Sequence, residues 1–193
     1  MFYVVRHGLT DYYMQNICQS QESNPINEIG ITQAKELANK IGKMKFEHFF
    51  SSDLLRAKET AEIVNETLKM KIQYDSRLRE RYTGIFGGKS KDNVPIEIQI
   101  DAKGKNAHKY GAESEENLYN RIKNFYEEMK FKKIDNALIM AHSNSIRMLR
   151  YIVHGNEWES EKYEKFYKSL KPINPTEIFE LDFYLSHEKL SLQ

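Results

Sequence analysis

The amino-acid sequence predicts an α/β fold, in which a mostly parallel central sheet lies between two layers of helices. Short apolar, β-prone runs alternate along the chain with segments whose apolar residues recur at helical spacing. The 193 residues suit one domain, which would bury about 70% of the surface of the unfolded chain. No internal repeat, low-complexity linker or domain boundary interrupts the sequence. We therefore expect a single three-layer α/β/α sandwich over residues 1–193.

The strands are predicted from apolar runs and, towards the C-terminus, from alternation. Apolar runs predict strands over residues 2–5, 46–50, 71–74 and 136–141. Between residues 176 and 185 apolar and polar residues alternate, which indicates a half-buried strand. Residues 189–192 are a candidate edge partner for that strand.

The helices are predicted from apolar residues spaced three and four apart. This spacing predicts helices over residues 31–42, 54–68, 114–130, 144–153 and 157–170. Gly42 suits the end of the first helix, and Ser114 suits the start of the third. One of residues 51–53 (SSD) is expected to cap the second. The last helix carries a stripe that we interpret as core packing rather than a binding site: Tyr163, Phe166, Tyr167 and Leu170.

Two connecting segments have no regular pattern. Residues 75–89 contain three glycines and are expected to form a loop. Residues 90–112 are rich in lysine and asparagine and include Pro95, Gly104 and Gly111. We interpret this second segment as a short, lid-like insertion over the sheet edge.

Composition and charge argue against several functional classes. The formal net charge is +1 and the isoelectric point is about 7.8, so no basic footprint points to nucleic acid or to an anionic membrane surface. No apolar run approaches the ~20 residues of a membrane helix, and no secretory signal pattern begins the sequence. Cys18 is the one cysteine, and we expect it to be a buried or half-buried apolar residue. These features favour a cytoplasmic location.

The first strand ends in three residues that suit phosphate chemistry. Arg6 offers a planar fork of donors that matches phosphate oxygens. His7 offers a ring nitrogen that can act as a nucleophile or as an acid and base near neutral pH. Gly8 lacks the Cβ that would block the approach of a ligand to the backbone. Because ligands of α/β sheets bind at the carboxyl ends of strands, these residues indicate a site. A strand that merely ends in a polar turn remains the alternative.

Three later positions are candidate companions of the first strand end. Arg56 falls in the first turn of a predicted helix, where unpaired N–H groups attract anions. His142 directly follows a second apolar strand, so two neighbouring strands would present two histidines to one crevice. Glu80 precedes the glycine-bearing loop and could act as an acid and base. Taken singly, each could equally be an ordinary surface or core residue.

These motifs, in this order, resemble those of the histidine phosphatase superfamily, which includes the cofactor-dependent phosphoglycerate mutases. Residues 6–10 (RHGLT) match RHGxT, and residues 24–34 (NPINEIGITQA) match xPLTxxGxxQA. Residues 51–61 (SSDLLRAKETA) match SSxLxRAxxTA. Residues 78–80 (LRE), with the glycines that follow, match the acid-bearing loop, and residues 113–114 (ES) match the opening of a helix. The resemblance covers nearly the whole chain and implies a phosphoglycerate mutase-like fold.

The resemblance also implies the catalytic roles. His7 would become phosphorylated, Glu80 would give and take the proton, and Arg6, Arg56 and His142 would form the phosphate pocket. Prepositioned cations would supply most of the catalysis by binding the oxygens of the transferring phosphoryl group. No metal or other cofactor is implied.

The resemblance extends the predicted substrate- and phosphate-binding set to Thr10, Asn16, Arg81 and Ser143. Two of these positions involve departures from the family. Tyr13 stands where the family often has asparagine, and Asn16 could replace that amide if the loop rearranges. Ser143 stands where a glycine usually follows the second histidine, and it could add a hydroxyl contact.

The resemblance leaves three functions open. A phosphatase is favoured because the mutases carry a longer insertion with paired arginines, whereas no arginine occurs here between Arg81 and Arg121. A short lid would leave a phosphohistidine open to water, so hydrolysis would outcompete transfer. A cofactor-dependent phosphoglycerate mutase is the first alternative, indicated by the NSIR sequence after His142. A non-catalytic phosphate-binding scaffold is the second.

The expected substrate is a small anionic phosphate ester. Basic residues of the lid-like segment could steer it or contact a second charged group: Lys89, Lys91, Lys103, Lys105, His108 and Lys109. The C-terminal strand could pair across a homodimer or complete the sheet of one chain. Neither nucleic acid nor membrane is an expected partner.

Overall fold

The computed structural model describes residues 1–182 and contains a five-stranded sheet. Its strands are β1 (Phe2–Arg6), β2 (His48–Ser51), β3 (Ile72–Tyr74), β4 (Ala137–Ala141) and β5 (Ile178–Leu181). They lie in the order β3-β2-β4-β1-β5. The first four are parallel, and β5 runs antiparallel to β1 at the edge. The predicted mostly parallel sheet is confirmed.

Seven helices connect and flank these strands within residues 1–182. They are α1 (Asp11–Met14), α2 (Glu28–Ile41), α3 (Leu55–Leu68), α4 (Ile96–Asp101), α5 (Glu115–Phe131), α6 (Ser143–Val153) and α7 (Ser160–Ser169). Side-chain caps fix two of the starts: Asn27 accepts from the Gly30 N–H, and Ser114 accepts from the Asn117 N–H. Ser114 therefore caps α5 as predicted. Asn27 starts α2 three residues before the predicted position.

The two faces of the sheet bury different helices, because successive side chains of a strand point to opposite sides. Phe2, Val4 and Ile139 pack in one cluster with apolar residues of α5, α6 and α7. Val5 and Met140 pack in the other cluster with α2 and α3. The sheet is thus covered on both sides, which is the predicted three-layer α/β/α arrangement.

The start of α3 differs from the prediction. Its N-cap position is Leu54, which has no side-chain cap, rather than one of residues 51–53. The polar side chains of that triplet have other partners. Ser52 Oγ lies 2.8 Å from His142 Nε2, and Asp53 accepts two hydrogen bonds from the Arg79 guanidinium. These longer-range contacts engage the groups that a helix cap would use.

The two connecting segments contain more structure than the sequence indicated. Short 3₁₀ turns occur at Ser76–Leu78, Gly84–Phe86, Lys91–Asn93 and Ala107–Tyr110. The lid-like segment 90–112 also contains α4. It is joined to the loop after α1 by a hydrogen bond from Lys91 N–H to the Asn16 carbonyl. Residues 183–185 of the predicted C-terminal strand and its predicted edge partner, 189–192, lie outside the described residues.

Gly8 is needed for a close contact within the protein. A Cβ on Gly8 would lie 2.8 Å from the Gly30 carbonyl oxygen, and a Cβ on Gly30 would lie 2.2 Å from the Leu9 carbonyl oxygen. The first turn of α2 therefore packs directly on the backbone that follows β1. This contact was not indicated by the sequence, and the role of Gly8 in the approach of a ligand stays a prediction.

Within residues 1–182, none of the helices combines the length and the apolar character that a bilayer crossing requires.

Substitution of Gly30 tests this backbone contact. Gly30→Ala would place a methyl group against backbone atoms that cannot rotate away, so we expect the free energy of unfolding to fall by about 1–3 kcal/mol. Gly104→Ala is the matched control, because nothing lies within 4 Å of a Cβ built at Gly104. It should stay within about 0.5 kcal/mol of the parent protein. Urea unfolding measures both, and equal effects would contradict the close packing.

Candidate active site

The two histidines predicted from the sequence meet because their strands are neighbours. β1 pairs with β4 in parallel, with Arg6 opposite Ala141, so His7 and His142 leave the sheet side by side. Their ring centroids are 5.0 Å apart. Ser52, which follows β2 on the other side of β4, hydrogen-bonds to the Met140 carbonyl. Three parallel strands therefore end at one site, as is usual for α/β sheets.

The surroundings of His7 fix which of its two ring nitrogens carries the hydrogen. Its Nδ1 lies 2.7 Å from the Gly8 carbonyl oxygen, which can only accept, so Nδ1 carries the hydrogen. Thr60 Oγ1 accepts from the Gly8 N–H and fixes this peptide. Burial lowers the pKa of His7 well below its usual value, and the charges of Arg56 and Arg6 lower it further. The ring is therefore neutral, with its lone pair on Nε2.

Arg56 places a fully buried guanidinium against that lone pair. Its Nε donates to His7 Nε2 at 3.2 Å, and its Nη2 donates to the Ser20 carbonyl oxygen at 2.7 Å. Asn24 Oδ1 accepts from Nη1 at 3.3 Å. Burial lowers the pKa of Arg56 to about 10, so the group remains charged at neutral pH. Its position in the first turn of α3 agrees with the sequence prediction.

Arg6 lies on the other side of the site. Its Nη1 donates to the Ile173 carbonyl oxygen at 2.5 Å, and its Cζ lies 4.9 Å from the centre of the Tyr13 ring. Its buried Nε has no hydrogen-bond partner among residues 1–182. Burial lowers the pKa of Arg6, and the nearby Glu80 charge opposes that effect. Arg6 thus retains donor capacity for an anionic ligand.

His142 forms the start of α6. Its ring is fully buried, with Nε2 2.8 Å from Ser52 Oγ, and its backbone N–H donates to Ser145 Oγ at 3.1 Å. Burial lowers the pKa of His142 well below its usual value, and Arg56 contributes further. A second neutral imidazole therefore stands at a helix N-terminus, where the backbone dipole favours anions.

Glu80 is the acidic residue of this cluster. Its Oε1 accepts from the Arg81 N–H at 2.8 Å and from the Asn144 N–H at 3.2 Å, so the carboxylate lies at the N-terminus of α6. Glu80 is only 6% exposed, and its charge acts on both Arg6 and Arg56. A buried carboxyl group therefore lies beside Arg6 and Arg56, in the cluster that contains the two histidines.

Arg6, His7 and Glu80 open into a cavity of about 340 Å³, a volume that suits a small metabolite, whereas the fully buried Arg56 and His142 are not among the residues that line it. One wall belongs to the segment 90–112 and the opposite wall to α6 and α7. The main lining residues are Arg6, His7, Gln19, Glu80, Arg81, Lys91, Val94, Gln99, Lys103, Ser143, Asn144, Arg147, Tyr167 and Ile173. Among residues 1–182, no cluster of three or more His, Cys, Asp and Glu side chains could hold a metal ion.

The remaining predicted residues have different surroundings. Ser143 and Arg81 line the cavity, but Arg81 also donates to the Ala102 carbonyl, within the lid-like segment, and to the Glu113 carbonyl directly after it. Thr10 is buried behind the cavity, where its hydroxyl donates to Gln19 Oε1. Asn16 is exposed and does not line the cavity, because its amide donates to Asp92 at 2.7 Å. The structure therefore does not bring Asn16 to the phosphate site.

Gln19 is a lining residue that the sequence did not reveal. Because an arginine can only donate hydrogen bonds, the oxygen of the Asn24 amide, Oδ1, faces Arg56. The other end of that amide, Nδ2, then donates to Gln19 Oε1 at 3.2 Å. Thr10 also donates to Gln19 Oε1. The oxygen of the Gln19 amide is thereby engaged, and its Nε2 donor is available to the cavity. The one signal in the sequence is the match of residues 24–34 to a family motif, which points to Asn24 but not to its partner.

Comparison with known proteins decides the family. A model of the "Histidine phosphatase superfamily (branch 1)" matches residues 2–185. The chain belongs to this superfamily. The resemblance found from five sequence motifs is therefore confirmed.

Curated members of the superfamily match over part of their length. Fructose-2,6-bisphosphatase TIGAR of Xenopus tropicalis is 38% identical over 135 residues, which are 64% of this chain and 47% of that protein. A probable phosphoglycerate mutase, GpmB of Escherichia coli O1:K1, is 35% identical over 95 residues, which are 49% of this chain and 44% of that protein. The chain thus spans about half the length of the curated relatives it matches.

A solved superfamily structure confirms the fold. The phosphoglycerate mutase of Bacillus anthracis superposes with a TM-score of 0.74 at 23% identity, covering 92% of this chain and 85% of that one. The expected phosphoglycerate mutase-like fold is therefore present in this member of the superfamily.

The neutral histidines predict how stability depends on pH. The unfolded chain protonates its histidines near a pKa of about 6.5, whereas burial keeps the folded pKa of His7 and of His142 well below that. The contribution of these two histidines to the free energy of unfolding is therefore fully present at pH values above the unfolded pKa of about 6.5. As the pH falls, the unfolded chain takes up protons that the folded protein does not, and the free energy of unfolding falls by up to about 1.4 kcal/mol per pH unit and ring. Urea unfolding at several pH values measures this slope.

His142→Gln removes one of the two rings and should make that slope shallower. The same slope in the parent protein and in the variant would mean that His142 does not stay neutral in the folded state.

Proposed function

We propose that the chain is a phosphomonoester hydrolase that acts through a phosphohistidine on a small anionic metabolite. The observation that carries the proposal is the state of His7. Its ring is neutral, its Nδ1 is bound to a backbone carbonyl, and its Nε2 lone pair faces the Arg56 guanidinium. A nucleophile prepared in this way, with cations around it, suits attack on phosphorus.

In the first step, His7 Nε2 attacks phosphorus, and the bond from phosphorus to the alcohol oxygen breaks. The protonated Glu80 carboxyl gives its proton to the departing oxygen. Arg6, Arg56 and His142 bind the phosphoryl oxygens, on which negative charge is spread. In the free protein the Arg56 Nε–H donates a hydrogen bond to His7 Nε2. When substrate binds, the same N–H donates its hydrogen bond to a phosphoryl oxygen instead.

In the second step, water replaces the alcohol. The Glu80 carboxylate takes a proton from water, the water oxygen attacks phosphorus, and the bond from phosphorus to Nε2 breaks. Neutral His7 and inorganic phosphate result, and Glu80 is again protonated. Glu80 lines the same cavity as His7, which supports this double role.

The part of the cavity lined by Arg147 and Lys103 favours a substrate with a second anionic group. Arg147 is only 9% exposed, its guanidinium donates no hydrogen bond to any residue within 1–182, and its Nε is buried. Buried donors of this kind normally have a partner, which a ligand would supply. Of the six basic residues predicted for steering, Lys91 and Lys103 line the cavity. The TIGAR relative, named for a bisphosphate substrate, agrees with this expectation.

A phosphatase is favoured over the alternatives. The segment 90–112 brings lysines rather than paired arginines to the cavity, so it lacks the bidentate clamp by which a mutase would retain its intermediate. A scaffold would need neither a neutral nucleophile nor an acid beside it. The cytoplasmic location and the homodimer stay predictions.

Replacement of His7 tests the proposal directly. His7→Asn should abolish release of phosphate from p-nitrophenyl phosphate and leave no acid-labile phosphoprotein, because the nucleophile is gone. The matched control is His48→Asn at the opposite end of the sheet, which should retain both properties. A colorimetric assay and acid quenching with labelled substrate measure them. Comparable turnover by His7→Asn would mean that another group attacks phosphorus.

A second assay, of the protein without substitutions, distinguishes a phosphatase from a mutase. With 3-phosphoglycerate and 2,3-bisphosphoglycerate we expect inorganic phosphate to be released. Conversion to 2-phosphoglycerate without phosphate release would establish the mutase, and binding without any turnover would establish the scaffold.

Glu80→Gln tests the proton donor. Loss of a general acid should lower kcat by about 10²–10⁴ for alkyl phosphates, whose leaving groups need a proton. The loss should be smaller for p-nitrophenyl phosphate, whose leaving group departs as a stable anion. Steady-state rates with the two substrate types measure the difference, and an equal loss with both would assign Glu80 another role.

A further inference from the structure

The ring of Tyr167 contacts two cations that belong to different parts of the chain. Arg147 Cζ, on α6, lies 4.4 Å from the ring centre, and Lys103 Nζ, on the segment 90–112, lies 5.6 Å from it. Tyr167 itself belongs to α7, and all three residues line the cavity. The aromatic stripe of α7 therefore has a role that the sequence did not suggest, since Tyr163 is core but Tyr167 faces the pocket.

The protein offsets the charge of Lys103 only in part, through the nearby Glu115. Among the described residues, no carboxylate forms an ion pair with Arg147 or Lys103. Burial lowers the pKa of Lys103, the charges of Arg81 and Arg147 lower it further, and the Glu115 charge opposes these effects. Two positive charges held in one partly buried region repel each other, so something must keep both heads in place.

The backbones of both cations are fixed, which leaves only their side chains to be positioned. The Lys103 carbonyl accepts from the Glu115 N–H at 2.9 Å, and the preceding Ala102 carbonyl accepts from Arg81. Arg147 lies within α6, one turn after His142. The Tyr167 ring is in turn held by Tyr163, whose ring lies 6.1 Å away at 62°. The Tyr167 ring on α7 is therefore packed against Tyr163 and lies between Arg147 of α6 and Lys103 of the lid-like segment.

We propose that Tyr167 is a positioning residue that determines specificity: its ring holds Arg147 and Lys103 as a preformed clamp for a second anionic group of the substrate. The proposal deepens the proposed function, on which it rests for the substrate class. A phosphate or carboxylate between the two cations would receive the donors that Arg147 leaves unused.

An aromatic ring suits this task better than a carboxylate would. The negative face of the ring attracts both cations without neutralising them, so they remain available to an anionic ligand. A carboxylate in its place would pair with the cations and compete with that ligand. An aliphatic side chain would fill the space but would not oppose the repulsion between the two charges.

The test measures binding, so that it does not depend on turnover. In a His7→Asn background, calorimetry gives Kd for two matched ligand pairs that differ by one anionic group. The first pair is glycerol 3-phosphate and 3-phosphoglycerate, and the second is fructose 6-phosphate and fructose 1,6-bisphosphate. We expect the ligand with the extra anion to bind more tightly in at least one pair.

Three substitutions at the clamp should change that preference in a defined way. Tyr167→Leu should reduce the preference about tenfold, the effect of a desolvated cation–π contact. Tyr167→Phe keeps the ring and should restore the preference to within about twofold. Arg147→Met removes one cation and should lose the preference as Tyr167→Leu does. The matched control is Tyr74→Leu, at an exposed tyrosine that contacts Lys58 far from the cavity.

Three results would overturn the proposal: no preference in either pair before substitution, equal weakening of both members of a pair by Tyr167→Leu, or equal damage by Tyr167→Phe and Tyr167→Leu. The second would mean a merely structural ring, and the third would assign the effect to the hydroxyl. If the protein with His7 intact forms no phosphohistidine while the preference still depends on Tyr167, the clamp stands and the hydrolase proposal fails.

Discussion

The parallel pairing of β1 with β4 is the contact on which the rest of the site depends. It sets Arg6 opposite Ala141, so the next residue of each strand is a histidine that leaves the sheet at the same edge. A slip of one residue would turn every side chain of β1 to the other face and separate the two rings. The buried apolar faces on both sides of the sheet prevent that slip, because Val4 and Val5 belong to different cores. The catalytic geometry is therefore a consequence of ordinary core packing.

Backbone carbonyls rather than carboxylates hold the buried cations of this site. Arg6 donates to Ile173, Arg56 to Ser20 and Arg81 to Ala102 and Glu113. A carbonyl satisfies a donor and orients the guanidinium without cancelling its charge, so the positive charge remains for an anionic ligand. Burial, and after it the charges of Arg56 and Arg6, lower the pKa of both histidine rings and keep them neutral. One arrangement thus accounts for the state of both the proposed nucleophile and the proposed phosphate pocket.

Sequence reasoning reached the strand ends because local patterns determine them. An apolar run followed by Arg6 and His7, and another followed by His142, is visible without a structure. Gln19 and Tyr167 were not accessible in this way. The Gln19 amide is oriented through Asn24 by Arg56, a relay between residues distant in sequence. The helical period of α7 indicates which residues face inwards, but it does not distinguish a residue in the core from one at the border of a cavity.

The cavity is therefore built by two kinds of interaction of unequal strength. The part of the cavity around His7 depends on strand pairing, on the close backbone contact between Gly8 and Gly30, and on hydrogen bonds to buried charges. Loss of any of these would lower the stability of the protein. The part of the cavity around Arg147 and Lys103 depends on cation–π contacts at Tyr167. It also depends on the lid-like segment, which hydrogen bonds such as that from Arg81 to the Ala102 carbonyl join to the body of the protein. Contacts worth about 1–2 kcal/mol can be exchanged without unfolding the protein. Substitutions around Arg147 and Lys103 can therefore change ligand preference without disturbing the strand pairing that brings His7 and His142 together.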